Sequence, residues 1–266
     1  MNPIPIPHNP PDMSLAVVLL LAPLFAVVAL AYASVGLGGG TGYLALMTIF
    51  GFSHQHMPST ALVLNIVVTG AAMIRFGLAG RLRWSLLAPF LVAALPAAFL
   101  GGLLELPKRS FLGLLAVGLA VAALAMIRSA ARPNDGVVRP RPALLWAVGL
   151  PAGALFGLAS GMLGIGGGVF LGPFVLLLRW AEPRETAAMT STYILVLSVA
   201  GLAAHGTRGA VDPTIVLPLA VAVLVGGLIG AQLAETRLKP ATLKRIFAVI
   251  ILVAALKAGL GAIGAM

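Results

Sequence analysis

Long apolar runs broken by short polar gaps fill this chain from near its start to its end. They fall at about 13–34, 41–52, 58–76, 84–104 and 110–127, and again at about 143–162, 169–180, 187–205, 213–235 and 243–263. A helix needs about 20 residues to cross the hydrocarbon layer of a bilayer. Most of the runs meet that length, whereas 41–52 and 169–180 are too short to cross untilted. The pattern predicts an all-α polytopic membrane protein with about ten membrane segments (eight to ten).

The second set of runs repeats the first. Gly36-Leu37-Gly38-Gly39-Gly40 corresponds to Gly164-Ile165-Gly166-Gly167-Gly168 at an offset of 128, and Gly77, Gly80, Pro89 and Gly101 correspond to Gly206, Gly209, Pro218 and Gly230 at an offset of 129. Near-constant spacing over this distance indicates an internal duplication. The expected organisation is a proline-rich, extended leader at 1–12, a first transmembrane repeat at 13–127, a polar linker at 128–142 and a second repeat at 143–266. The first run ends in Ala31-Tyr32-Ala33-Ser34, which imitates a signal-peptidase site. No Lys or Arg precedes it, and it has a counterpart in the second half, so it reads as a retained helix.

Composition agrees with lipid as the solvent: 60% of residues are hydrophobic, 9% are charged and the mean hydropathy is +1.08. Soluble domains carry roughly 25% charged residues. The net charge of +10 would suggest nucleic acid on a soluble protein, but here the basic residues fill gaps between apolar runs, as the positive-inside rule requires. Three clusters, Arg75/Arg81/Arg83, Arg128/Arg132/Arg139/Arg141 and Arg237/Lys239/Lys244/Arg245, are expected in the cytoplasm, with both termini outside. Five crossings per half satisfy all three, and an odd number inverts the second repeat relative to the first. Lys108 and Arg109 then fall outside, partly offset by Glu105.

The glycine blocks are the strongest local signal. Each glycine costs a helix about 1 kcal/mol relative to alanine, so three in a row mark a place where the chain opens. A short helix follows each block, and its first N–H groups lack intrahelical acceptors and lie at the positive end of the helix dipole. Two such half-helices entering from opposite faces would aim their donors at the bilayer midplane, forming an anion site. The competing reading, close packing through small residues, fits Gly149, Gly153, Gly157 and Gly161, which recur every four residues.

The candidate binding groups are the main-chain N–H groups around Gly38, Gly39, Gly40 and Thr41 and around Gly166, Gly167, Gly168 and Val169. Asn65 and Thr69 on the 58–76 run, and Ser191 among Thr190, Thr192 and Ser198 on its repeat partner, supply side chains; their hydroxyls could equally bond to their own helix. No Asp, Glu, Lys or Arg falls in the middle of any run, which disfavours a cation substrate and leaves no mid-membrane coupling carboxylate. The chain has no cysteine, and His54 and His56 have no carboxylate nearby, so they read as surface polar residues and no metal site is expected. No catalytic constellation, P-loop or dinucleotide fingerprint is present, so neither an enzyme nor a cofactor is expected.

With its two G-[LI]-G-G-G blocks in duplicated settings, the chain resembles the sulfite exporter TauE/SafE family from about residue 14 to 262. In the second half Pro173 follows the glycines, as is frequent in that family, whereas Ala45 stands at the equivalent place in the first half. The resemblance implies a multi-pass protein of the bacterial cytoplasmic membrane that exports sulfite, sulfonates or related anions. The partners expected are therefore a small anion and the lipid bilayer, without nucleic acid. The rival readings are an anion-selective pore and a membrane assembly factor that transports nothing.

Overall fold

The computed structural model describes residues 15–52, 57–104, 107–131, 136–205 and 213–236, with 249, 252–253, 255–256 and 259–262. The leader, Glu105, the loop carrying His54 and His56, the 206–212 loop, the third basic cluster and most of the tenth apolar run lie outside the described residues.

All regular structure among the described residues is helical. In chain order the helices are α1 Leu15–Ala33, α2 Gly40–Ile49, α3 Met57–Leu78, α4 Trp84–Leu103, α5 Lys108–Ala131, α6 Pro142–Leu163, α7 Gly168–Leu177, α8 Pro183–His205 and α9 Pro213–Thr236. Five of these, α3, α4, α6, α8 and α9, are long and apolar enough to cross a membrane, while α2 and α7 have only ten residues each. The helices are apolar all round, because one side packs on neighbours and the other meets lipid. Thus Phe25 and Leu219 are wholly buried, whereas Leu20 and Leu217 on the same helices stay 77% and 67% exposed. Pro23, Pro89, Pro96, Pro151, Pro173 and Pro218 lie inside helices, where neighbouring helices can accommodate the missing backbone donor.

Small residues set how the helices meet. Gly149, Gly153, Gly157 and Gly161 bring α6 onto the main chain of α4 at Pro89, Phe90, Ala94 and Ala98 in turn, so the two helices run parallel. Gly226 and Gly230 bring α9 onto α1 at Ala26 and Leu30, also in parallel. The contacts correspond through the repeat: Gly101 of α4 abuts the carbonyl of Leu158, and its mate Gly230 abuts the carbonyl of Leu30. At the centre, α3 and α8 cross antiparallel. Leu62 meets Gly201 at one end, and Ala72 and Phe76 cluster with Ala187 and Ala188 at the other. Close main-chain approach is how apolar helices gain dispersion energy when lipid supplies no hydrophobic drive.

One end of the bundle carries an ion-paired cluster. Arg83 Nε donates to Glu185 Oε1 at 2.6 Å, and Arg139 approaches the same oxygen at 3.8 Å. The N–H of Val138 donates to the carbonyl of Arg179 at 2.7 Å, tying the linker to the end of α7. Residues of the first two basic clusters therefore share one end.

Not every glycine serves packing. A Cβ added to Gly70 in α3 meets nothing within 4 Å. Gly70→Ala is expected to raise stability by up to about 1 kcal/mol through helix propensity alone, seen as a higher thermal unfolding midpoint in detergent. A lower midpoint would show that Gly70 makes a contact the monomer does not reveal.

Candidate anion site at the paired helix breaks

The chain leaves α1 through a turn at Ser34–Gly36 and re-enters the bundle before α2; it leaves α6 through Gly164 and re-enters before α7. The N-cap residues of α2 and α7 are Gly39 (φ 95°) and Gly167 (φ 70°), both left-handed. Only glycine adopts that conformation without a steric penalty from Cβ, which explains the glycine at each position. Neither cap offers a side chain to the helix, so the first donors of both helices are left to other partners. Gly168 departs from the expected set, since its N–H turns back onto the carbonyl of Gly166 at 2.9 Å. Despite Pro173 in one and Ala45 in the other, the two short helices have the same length.

The two breaks lie against each other. A methyl group built on Gly40 would stand 3.2 Å from Ile165 Cα, and one built on Gly168 would stand 3.3 Å from Leu37 Cδ2. α2 doubles back along α1, with Tyr43 stacked on Phe25 at 5.6 Å between ring centres. The start of α2 therefore sits deep in the bundle, beside the middle of α3, and the start of α7 sits beside the middle of α8.

Asn65 spans both breaks. Its Oδ1 lies 2.5 Å from a Cβ built on Gly38, and its Nδ2 lies 2.6 Å from one on Gly40 and 3.2 Å from one on Gly166. At the repeat-equivalent position α8 carries Ile194, whose side chain makes the matching contacts with Gly166 and Gly168. The two breaks thus share left-handed cap glycines but differ in side-chain chemistry, and also in backbone, since Gly166 is left-handed (φ 75°) and its mate Gly38 is not.

Asn65 is 0% exposed, and neither its Nδ2 nor its Oδ1 has a hydrogen-bond partner among the described residues. Three hydroxyls beside the breaks share this condition: Ser198 Oγ, 3.1 Å from a Cβ on Gly166; Tyr43 Oη, 2.7 Å from one on Gly39; and Ser160, whose Cβ is 3.1 Å from one on Gly167. Buried polar groups are almost always paired, and leaving one unpaired costs about 1–3 kcal/mol. These groups converge on two uncapped helix starts, a set of donors and acceptors suited to a small polar ligand.

The remaining sequence candidates divide. Thr41 Oγ1 donates to Tyr32 Oη at 2.9 Å, and Val169 is buried at the start of α7. Thr69 touches Gly38 through its methyl group while its hydroxyl donates to the carbonyl of Asn65 at 2.7 Å. Ser191 donates to the carbonyl of Ala188 at 3.0 Å, and Thr190 and Thr192 likewise bond to their own helix. Thr190 also reaches the carbonyl of Gly36 at 2.9 Å, buttressing the first break. Ser160 and Tyr43 were not apparent from sequence. Ser198, whose hydroxyl is unpartnered, is the repeat mate of Thr69 at an offset of 129.

Among the described residues no group of His, Cys, Asp and Glu could hold a metal. Comparison with known proteins gives a consistent picture. The family model for sulfite exporter TauE/SafE matches residues 21–258. A Sinorhizobium fredii protein named "Probable membrane transporter protein y4hK" is 38% identical over 238 residues, covering 89% of this chain and 96% of the relative.

Proposed function

Because this chain belongs to the TauE/SafE sulfite exporter family, we propose that it is a secondary transporter exporting a small sulfur-containing oxyanion, sulfite or an organosulfonate, across the bacterial cytoplasmic membrane. The anion binds where the two breaks meet, at the main chain of Gly38–Thr41 and Gly166–Val169, with Asn65 and Ser198 as the principal side-chain donors. Thr69 shapes the wall, and Ser191 stands behind it. One observation carries this reading: the buried, unpartnered amide of Asn65 lies against glycines of both breaks.

The two halves act as inverted repeats with both termini periplasmic, and one half rocks against the other. The antiparallel crossing of α3 and α8 supports this plan, as does the matched packing of α1 on α9 and α6 on α4. Full burial of Asn65 and both glycine blocks supports a carrier over an open pore, since a pore keeps its ion path wet. The inside-negative potential drives anion export with roughly 2.3 kcal/mol per charge per 100 mV, so export needs no coupling carboxylate.

The test is counterflow in proteoliposomes. With the membrane potential clamped, unlabelled sulfite trapped inside is expected to drive transient accumulation of labelled sulfite, which a pore cannot produce under that condition. Ser198→Ala is expected to slow that uptake roughly tenfold, the worth of one hydrogen bond to a charged group. Ser191→Ala, whose hydroxyl serves its own helix, should stay within about twofold. Equal effects of the two serine variants would misplace the site, and absence of counterflow would refute the carrier.

A further inference from the structure

Every group bordering the proposed site is formally neutral: the Asn65 amide, the hydroxyls of Ser160, Ser198 and Tyr43, and main-chain amides. Apart from the charged residues at helix ends, the titratable residues of the surrounding helices are Tyr32 on α1, Tyr43 on α2, and on α8 Tyr193 and the terminal His205, eleven residues or about 16 Å beyond Ile194. Charges on the described helices lie at their ends. Arg75 follows Asn65 by ten residues, about 15 Å along α3, and Glu185 precedes Ile194 by nine, about 14 Å along α8. Arg184 is next to Glu185; Lys108, Arg109 and Arg128 lie in the end turns of α5, and Glu235 in the last turn of α9. Helices α1, α2, α4, α6 and α7 carry no Asp, Glu, Lys or Arg.

The positive potential at the site therefore comes from two helix starts. Each is equivalent to roughly half an elementary charge, and the pair to about one. One negative charge is balanced by that field. A second would remain uncompensated in a buried region, and the penalty for burying charge grows with its square. The amide of Asn65 fits a protonated oxyanion as well: Nδ2 donates to a bare oxygen while Oδ1 can accept from an O–H.

We propose, resting on the transport reading above, that the site admits an oxyanion only as its monoanion. An acid whose second proton titrates near neutrality, such as sulfite, therefore crosses with that proton attached, and one proton leaves the cell with each anion. The carried species would be hydrogen sulfite, and the fully ionised forms of sulfite and sulfate would be refused.

The two species predict opposite signals. Lightly buffered proteoliposomes are loaded with sulfite near neutral pH, with a pH dye inside and the membrane potential clamped, and protein-free vesicles supply the background. Loss of the monoanion makes the remaining dianion take up protons, so the lumen turns alkaline. Loss of the dianion releases protons, so the lumen turns acid. We expect alkalinisation, a protein-dependent efflux at fixed total sulfite that falls about tenfold for each pH unit on the alkaline side, and no counterflow driven by sulfate. Acidification, a flat pH profile, or sulfate counterflow equal to that of sulfite would overturn the monoanion rule while leaving transport intact. If no sulfite moves above background in either the efflux or the counterflow assay, the transport reading fails and takes this one with it.

Discussion

Asn65→Leu is expected to abolish anion transport while leaving the protein as stable as before or more so. The amide gives and receives no hydrogen bond among the described residues and is wholly buried. Leucine keeps nearly the same volume and removes a desolvation penalty of about 1–3 kcal/mol. A bound anion would lose a charge-assisted hydrogen bond worth about 1.5–3 kcal/mol, or roughly 10–100-fold in affinity, before counting the O–H it could no longer accept. Measuring counterflow beside the thermal unfolding midpoint separates the outcomes. Loss of transport with an unchanged or higher midpoint places the ligand at Asn65. Normal transport would remove the residue from the site, and a lower midpoint would show that the amide serves the fold.

Gly161→Val is expected to have the opposite signature, a collapse of the fold. A Cβ at this position runs into the Ala98 carbonyl and stands 2.7 Å from the Gly102 nitrogen, and neither main-chain group can turn aside. Relieving the clash means separating α6 from α4 along the whole glycine ladder, at a cost of about 3 kcal/mol or more. In apolar surroundings this close approach is what holds the helix pair together. Gly230→Val, at the mated contact between α9 and α1, should behave alike, because its Cβ meets the Leu30 main chain as that of Gly101 meets Leu158. Thermal unfolding and size-exclusion profiles in detergent would test both. A monodisperse Gly161→Val protein of parental stability would contradict the packing described here. Together with Gly70→Ala, these substitutions separate glycines that pack from a glycine that does not.

Much of this was legible in the primary structure because lipid imposes a simple rule: backbone polar groups must be satisfied within each segment, so apolar length reads directly as helix. The boundaries of α1 to α9 lie close to the first nine apolar runs, including the two that are too short. The matched contacts of Gly101 and Gly230 were legible as a recurrence because the glycines and prolines that shape the backbone keep their spacing. The ladder of α6 was correctly a packing device, and the consecutive glycines correctly marked breaks.

The side-chain chemistry of the site was less legible. Thr69 and Ser191 stood out as polar residues in apolar surroundings, yet their hydroxyl protons go to carbonyls of their own helices. Tyr43 and Ser160 resembled ordinary boundary residues, yet they bring unpartnered hydroxyls to the breaks. Composition and spacing could not reveal which hydroxyl is spent locally, because that depends on rotamer and on what the opposite helix presents.

The amino-acid sequence by itself determined that the chain lives in lipid as helices, that glycines and prolines recur at a near-constant offset, and where the chain breaks, since hydropathy and backbone freedom are properties of single segments. Only the tertiary structure decided that the two breaks abut, and that Asn65 bridges them while its mate Ile194 lies against the second alone. Those are relations between residues more than a hundred positions apart, and they exist only once α3 and α8 have crossed.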